Sequence, residues 1–163
     1  MNILIIDDDY IKTDDSKKVL SNMFPNAVFT FVWNGCDALR ELTPAICSTQ
    51  YDLIILDMQF PLREGQNIDT RCGIKVLEQI RLSQEYVNPQ KRIDDTIPII
   101  VCSSMQYPHE LDKYDNVKGY VRYGGQDLTG QYELLLPLLR KCMSQRQKIS
   151  LSEPDKEEYS LEN

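Results

Sequence analysis

Two apolar runs in this chain end in aspartate. MNILIIDDD places Asp7, Asp8 and Asp9 behind an isoleucine-rich stretch, and YDLIILDMQFPLREG places Asp57 behind a second one. Carboxylates are hard donors for divalent ions, so the chemistry depends on whether these groups meet. A short apolar run rich in Ile and Leu reads as a strand buried on both faces of a parallel sheet. If the two strands are neighbours, their carboxylates converge at the carboxyl edge, the ligand crevice of an open α/β fold. Three like charges gathered there repel by several kcal/mol at an effective dielectric of about 20, unless a cation or a shared proton offsets them. A hard divalent metal is the simplest remedy. Taken alone, Asp7 and Asp8 would also serve as caps of a loop entering a helix. Together with Asp57, and with Pro61 and Gly65 behind it, they favour a site.

The elements that must position these residues alternate along the chain. Residues 2–7, 27–33, 52–57, 97–102 and GYVRY at 119–123 read as strands. IKTDDSKKVLSNMF reads as an amphipathic helix with Ile11, Val19, Leu20, Met23 and Phe24 on one side, closed by Pro25. A second helix begins at Cys36 or Asp37, and Ile74, Val76, Leu77, Ile80 and Leu82 supply the apolar positions of a third. Between Met105 and Lys118 there is room for about two helical turns once Pro108 and Asn116 are set aside. QDLTGQYELLLPLLRKCMSQRQK is a last helix, in which Pro137 predicts a kink or a late start. This alternation predicts a five-stranded parallel sheet with helices on both faces, a doubly wound α/β fold. The expected division is a domain over residues 1–147 and an acidic, weakly apolar tail over 148–163.

With 163 residues and a net charge of −7, the chain is about one domain and offers no basic run that would track a phosphate backbone. Direct nucleic-acid binding is not expected. Five cysteines, odd in number and without CxxC or His-coupled spacing, read as reduced thiols. No leader is read at the amino terminus and nowhere do roughly 18 apolar residues run together, so a cytoplasmic protein without membrane contact is expected. His109, in a Pro-flanked loop, reads as a surface residue, and Gly124–Gly125 as a turn rather than a phosphate loop.

Layout and motifs resemble the receiver domain of bacterial two-component response regulators, over roughly residues 2–147. An acidic pair closing the first strand falls on Asp7 and Asp8, and the phosphoacceptor closing the third falls on Asp57. The Asp, three residues, Pro, then Gly pattern falls on Asp57, Pro61 and Gly65. The hydroxyl residue ending the fourth strand falls on Ser103, and the aromatic switch position on Tyr120. The resemblance implies a flavodoxin-like sheet of order 2-1-3-4-5. It implies Mg²⁺ held by Asp7, Asp8, Asp57 and the carbonyl of Gln59, and phosphoryl transfer to Asp57 with Ser103 taking up charge. Gln59 and Met105 fall at positions that tune phosphoaspartate lifetime. A sensor histidine kinase or phosphotransfer protein is the implied donor and a partner protein the implied output, in a stand-alone switch rather than a turnover enzyme.

The family's Lys at the end of the fifth strand is not matched. Its position is Tyr123, and Arg122 is one residue early, where strand alternation points it to the other face unless the strand bulges. The stretch QNIDTRC between Gly65 and Gly73 lengthens the loop beside Asp57, and the short segment after Ser104 removes much of the fourth helix. Two alternatives accompany the receiver reading: an interaction module that works without phosphorylation, and a Mg²⁺-dependent hydrolase with an aspartate nucleophile.

Overall fold

The computed structural model describes residues 1–124 and 127–152, with the side chains of 149–152 left aside. In chain order the elements are β1 (Asn2–Ile6), α1 (Tyr10–Met23), β2 (Val28–Val32), α2 (Gly35–Leu42), β3 (Leu53–Leu56), β4 (Phe60–Pro61), β5 (Ile68–Asp69), α3 (Cys72–Ser83), β6 (Ile99–Ser103), β7 (Val117–Arg122) and α4 (Leu128–Ser152). Short 3₁₀ turns lie at Pro89–Lys91 and His109–Lys113. Five strands form one sheet of order β2-β1-β3-β6-β7, and every pairing in it is parallel. The expected doubly wound fold and strand order are therefore observed.

Strand alternation divides the core. Ile3 and Ile5 of β1, Leu53 and Ile55 of β3, and Ile100 and Cys102 of β6 pack with Leu20 of α1 and Tyr132 and Leu139 of α4. Leu4, Ile6, Ile54, Leu56, Ile99 and Val101 face the other way, onto Ala38 and Leu42 of α2 and Val76, Leu77 and Ile80 of α3. All of β3 and β6, and β1 from Ile3 onward, are buried, which is why these strands read as unbroken apolar runs.

Several expectations need adjusting. Ile11 is not on the core face of α1; it is 69% exposed, and the helix buries Lys12, Thr13, Ser16 and Leu20 instead. The physical reason is that the first turn of α1 lies over the polar edge of the sheet, where a charged side chain finds partners that an isoleucine would not. The segment after Ser104 holds one 3₁₀ turn rather than two helical turns. The lengthened loop after Asp57 folds back as a β4–β5 antiparallel hairpin, turning at Gly65, whose φ of 75° suits a residue without Cβ. The last helix is continuous through Pro137, starts at Leu128 rather than late, and continues past 147 to Ser152. Residues 153–163, most of the expected tail, lie outside the described residues, as does Gly125. All five cysteines are free thiols, with Cys72 and Cys102 buried.

Candidate functional site: an acidic edge bridged by a buried lysine

The site is assembled where β1 and β3 end side by side. The Asp57 amide donates to the Ile6 carbonyl at 2.9 Å, and the Asp7 amide to the Val32 carbonyl at 3.1 Å, so main-chain pairing fixes both aspartates beyond the last paired strand residues. Asp7 and Asp57 are buried and Asp8 is exposed. A carboxylate oxygen from each of the three lies within 4.8 Å of the others. Their convergence is as the two strand ends suggested.

Asp9 starts α1. Its side chain accepts from the amides of Ile11 at 2.9 Å and Lys12 at 3.1 Å, an N-cap that satisfies two free donors of the first turn. The Asp9 amide in turn donates to Asp7 Oδ1 at 2.9 Å, locking the cap to the site. This start sets the helix phase so that Lys12 turns inward.

Lys12 Nζ lies 2.8 Å from Asp7 Oδ2 and 2.9 Å from Asp57 Oδ1, with the residue only 5% exposed. Burial alone pulls the lysine pKa down, but the charges of Asp7 and Asp57 outweigh it and the net shift is upward, so the ammonium is retained. Asp7 is pushed up to about 7, first by burial and then by the charge of Asp57, against the opposing pull of Lys12. Asp8 is also raised, chiefly by burial. One ammonium shared between buried carboxylates thus leaves the cluster short of positive charge. Sequence patterning misses Lys12 because a lysine in an amphipathic helix ordinarily faces solvent. Its spacing from Ser16 and Leu20, one and two turns on, is the signal that could have found it.

Close packing supports Asp57 from behind. A Cβ at Gly73 would run into the Asp57 carbonyl oxygen and come within 2.8 Å of Met58 Cα, so only glycine lets α3 start this near. The Gly73 amide donates to the Met58 carbonyl at 3.1 Å. Gln59, two residues beyond Asp57, is half-buried.

The remaining sequence candidates spread along β6 and β7. Ser103 ends β6 fully buried, its hydroxyl accepting weakly from the Met105 amide at 3.4 Å. Tyr120 is half-buried against the α2–α3 side of the core, its hydroxyl donating to the Met105 carbonyl and its ring edge-on to Tyr107 at 5.5 Å. Burial raises its pKa, with the Ser103 hydroxyl opposing. Arg122 is not gathered into the cluster: it is exposed, and its amide donates to Gln131 Oε1 at 2.8 Å. Tyr123 turns to the α1 side, where its hydroxyl donates to Asp15 Oδ2 at 3.0 Å and its ring centroid lies 5.8 Å from Lys12 Nζ. Beside the site, a bidentate Arg71–Glu110 pair at 2.9 and 2.8 Å ties the end of the hairpin to the 3₁₀ turn after β6.

No family model and no curated protein matches the sequence. Solved structures do match the fold. A CheY-like receiver domain from Methylobacillus flagellatus superposes with a TM-score of 0.58 at 18% identity, covering 85% of this chain and 98% of that one. The bacteriophytochrome response regulator RtBRR gives 0.59 at 21%, covering 91% of each chain. The response regulator Rcp1, in a Mn²⁺-bound form, gives 0.56 at 17%, covering 84% of this chain and 90% of that one. With its sheet order, its acidic strand ends and these neighbours, the chain has the fold of a response regulator receiver domain.

Proposed function

We propose that this protein is a phosphorylation switch in which Asp57 accepts a phosphoryl group and the change is read by a partner protein. The observation that carries this reading is the convergence of Asp7, Asp8 and Asp57 at the carboxyl edge of a receiver fold. An oxygen of Asp57 attacks phosphorus of an acyl phosphate or phosphohistidine. As the new P–O bond forms, the donor's P–O or P–N bond breaks and its electron pair leaves with the carboxylate or imidazole.

The donor set suits a divalent metal, since three carboxylates within 4.8 Å match a hard ion that takes oxygen ligands. Asp7, Asp8 and Asp57, with the Gln59 carbonyl, would hold Mg²⁺, which when bound neutralises charge on the phosphoryl oxygens. Ser103, buried at the end of β6, supplies a hydroxyl toward the same group, and Tyr120 registers its movement through the Met105 segment to which both are bonded. The donor is a sensor kinase or phosphotransfer protein in a two-component system, and the switch works in the cytoplasm. No helix among the described residues is long and apolar enough to cross a membrane.

The test is intact mass after incubation with a small acyl phosphate and Mg²⁺. One added phosphoryl group on the wild type, absent in Asp57→Asn, is expected. No addition under conditions that label an ordinary receiver would sink the reading and favour a module that binds its partner without phosphorylation.

A further inference from the structure

The geometry points to Lys12 as the cation of this switch: from the first turn of α1, its ammonium binds the phosphoryl oxygens on Asp57, a role that no described residue at the end of β7 fills. This rests on the phosphoacceptor reading and assigns a ligand group within the same site.

Lys12 is paired at 2.8 Å with Asp7 and 2.9 Å with Asp57, at the bottom of the acidic edge rather than on its rim. Lysine is almost never buried without a partner, and a hydrophobic residue of similar volume often packs as well or better at such a position. A lysine held this deep between two carboxylates of the site is placed for chemistry there. An ammonium carries three N–H donors, and the two carboxylates account for two of them. When Asp57 changes from a carboxylate to a phosphoaspartate, it gains negative charge and strong acceptor oxygens where Lys12 is already held by Asp7. The pair then becomes a charge-assisted hydrogen bond to the phosphoryl group.

Among the described residues of β7, Lys118 sits at the strand's start, away from this edge, and donates to the Asp115 carbonyl at 2.5 Å, while Arg122 at its end is exposed. Tyr123 stands beside the ammonium, its ring 5.8 Å from Nζ. Position 12 on the helix and position 123 after the strand are thus neighbours, so a longer cationic side chain at 123 has the site within reach.

That proximity supplies the test. Full-length wild type, Lys12→Met and the double variant Lys12→Met/Tyr123→Lys are titrated first with Mg²⁺ alone and then, at saturating Mg²⁺, with beryllofluoride, a phosphoryl mimic, followed by fluorine NMR. Lys12→Met should bind Mg²⁺ at least as tightly as wild type, because the competing ammonium is gone, yet bind beryllofluoride at least tenfold more weakly. The double variant should recover part of that loss. Equal beryllofluoride affinity in wild type and Lys12→Met would overturn the assignment while leaving Asp57 as phosphoacceptor. A wild type that takes neither beryllofluoride nor a phosphoryl group would overturn both. If circular dichroism shows Lys12→Met unfolded, Lys12→Gln, which keeps a hydrogen-bond donor without the charge, is read by the same criterion.

Discussion

The two ends of the carboxyl edge are built on different principles. At the β1–α1 corner, buried charges answer one another: Asp7 and Asp57 share Lys12, and the Asp9 cap fixes the helix that carries it. At the β7 end the partly buried polar atoms are phenol hydroxyls, Tyr120 on the Met105 carbonyl and Tyr123 on Asp15, while the charged Arg122 stays in solvent. A corner of buried charges is costly to break and responds strongly to added charge, whereas a corner held by phenol hydroxyls gives up about one hydrogen bond at a time. The difference separates a corner held by buried charges from one held by phenol hydroxyls.

The largest expected effect comes from stripping both partners from the buried ammonium. Asp7→Ala/Asp57→Ala should lose about 3–5 kcal/mol in urea unfolding, the cost of leaving a buried charge without a counterion. Arg122→Ala, at the β7 end, should stay within about 0.5 kcal/mol, and a comparable loss there would erase the contrast. Next is Gly73→Ala, which drives a Cβ toward the Asp57 carbonyl and should cost about 1–3 kcal/mol in thermal or chemical unfolding. It should also weaken Mg²⁺ binding, since Asp57 must shift to relieve the contact.

Tyr123→Phe removes a neutral hydrogen-bond donor at a half-buried site and should cost about 0.5–1.5 kcal/mol. Unchanged Mg²⁺ affinity in that variant would sharpen the division between corners, and a marked change would blur it. The smallest effect is alkaline. Burial raises the pKa of Tyr120, and burial with the Asp15 bond raises that of Tyr123. A folded-state pKa above the unfolded value means that the folded chain holds its proton more tightly. This contribution is complete below about pH 10 and falls away as pH rises through the folded values. The phenolate absorbance lost on Tyr120→Phe or Tyr123→Phe, taken as a difference from wild type, should appear at higher pH than that of tyrosine in the unfolded chain.

How much of this is legible in the chain depends on whether a feature rests on period or on place. β1, β3 and β6 announce themselves because nearly every residue along them is buried, and a short unbroken apolar run between turn signals fits a central parallel strand. Asp7, Asp8 and Asp57 are legible for the same reason, since they stand where such runs stop. The β4–β5 hairpin is not, because two-residue strands carry no period. Lys12 is hidden more deeply. The pattern through Val19, Leu20 and Met23 describes the later turns of α1 packing on apolar strands, whereas its first turn overhangs the acidic edge, and a helix can change solvent along its length. Assuming that one face serves the whole helix both misplaces Ile11 and overlooks Lys12.

Trp33 follows directly after β2. It is the single tryptophan of the sequence, partly exposed and stacked on Phe31 at 6.2 Å. The carbonyl of the residue before it, Val32, accepts the amide of Asp7. The indole is therefore one peptide unit from a hydrogen bond that anchors the acidic edge, with no second fluorophore of its kind to dilute its emission. The molecule carries its own optical gauge: a change in the Asp7–Val32 bond is expected to shift intrinsic fluorescence, read without a label in the unmodified chain.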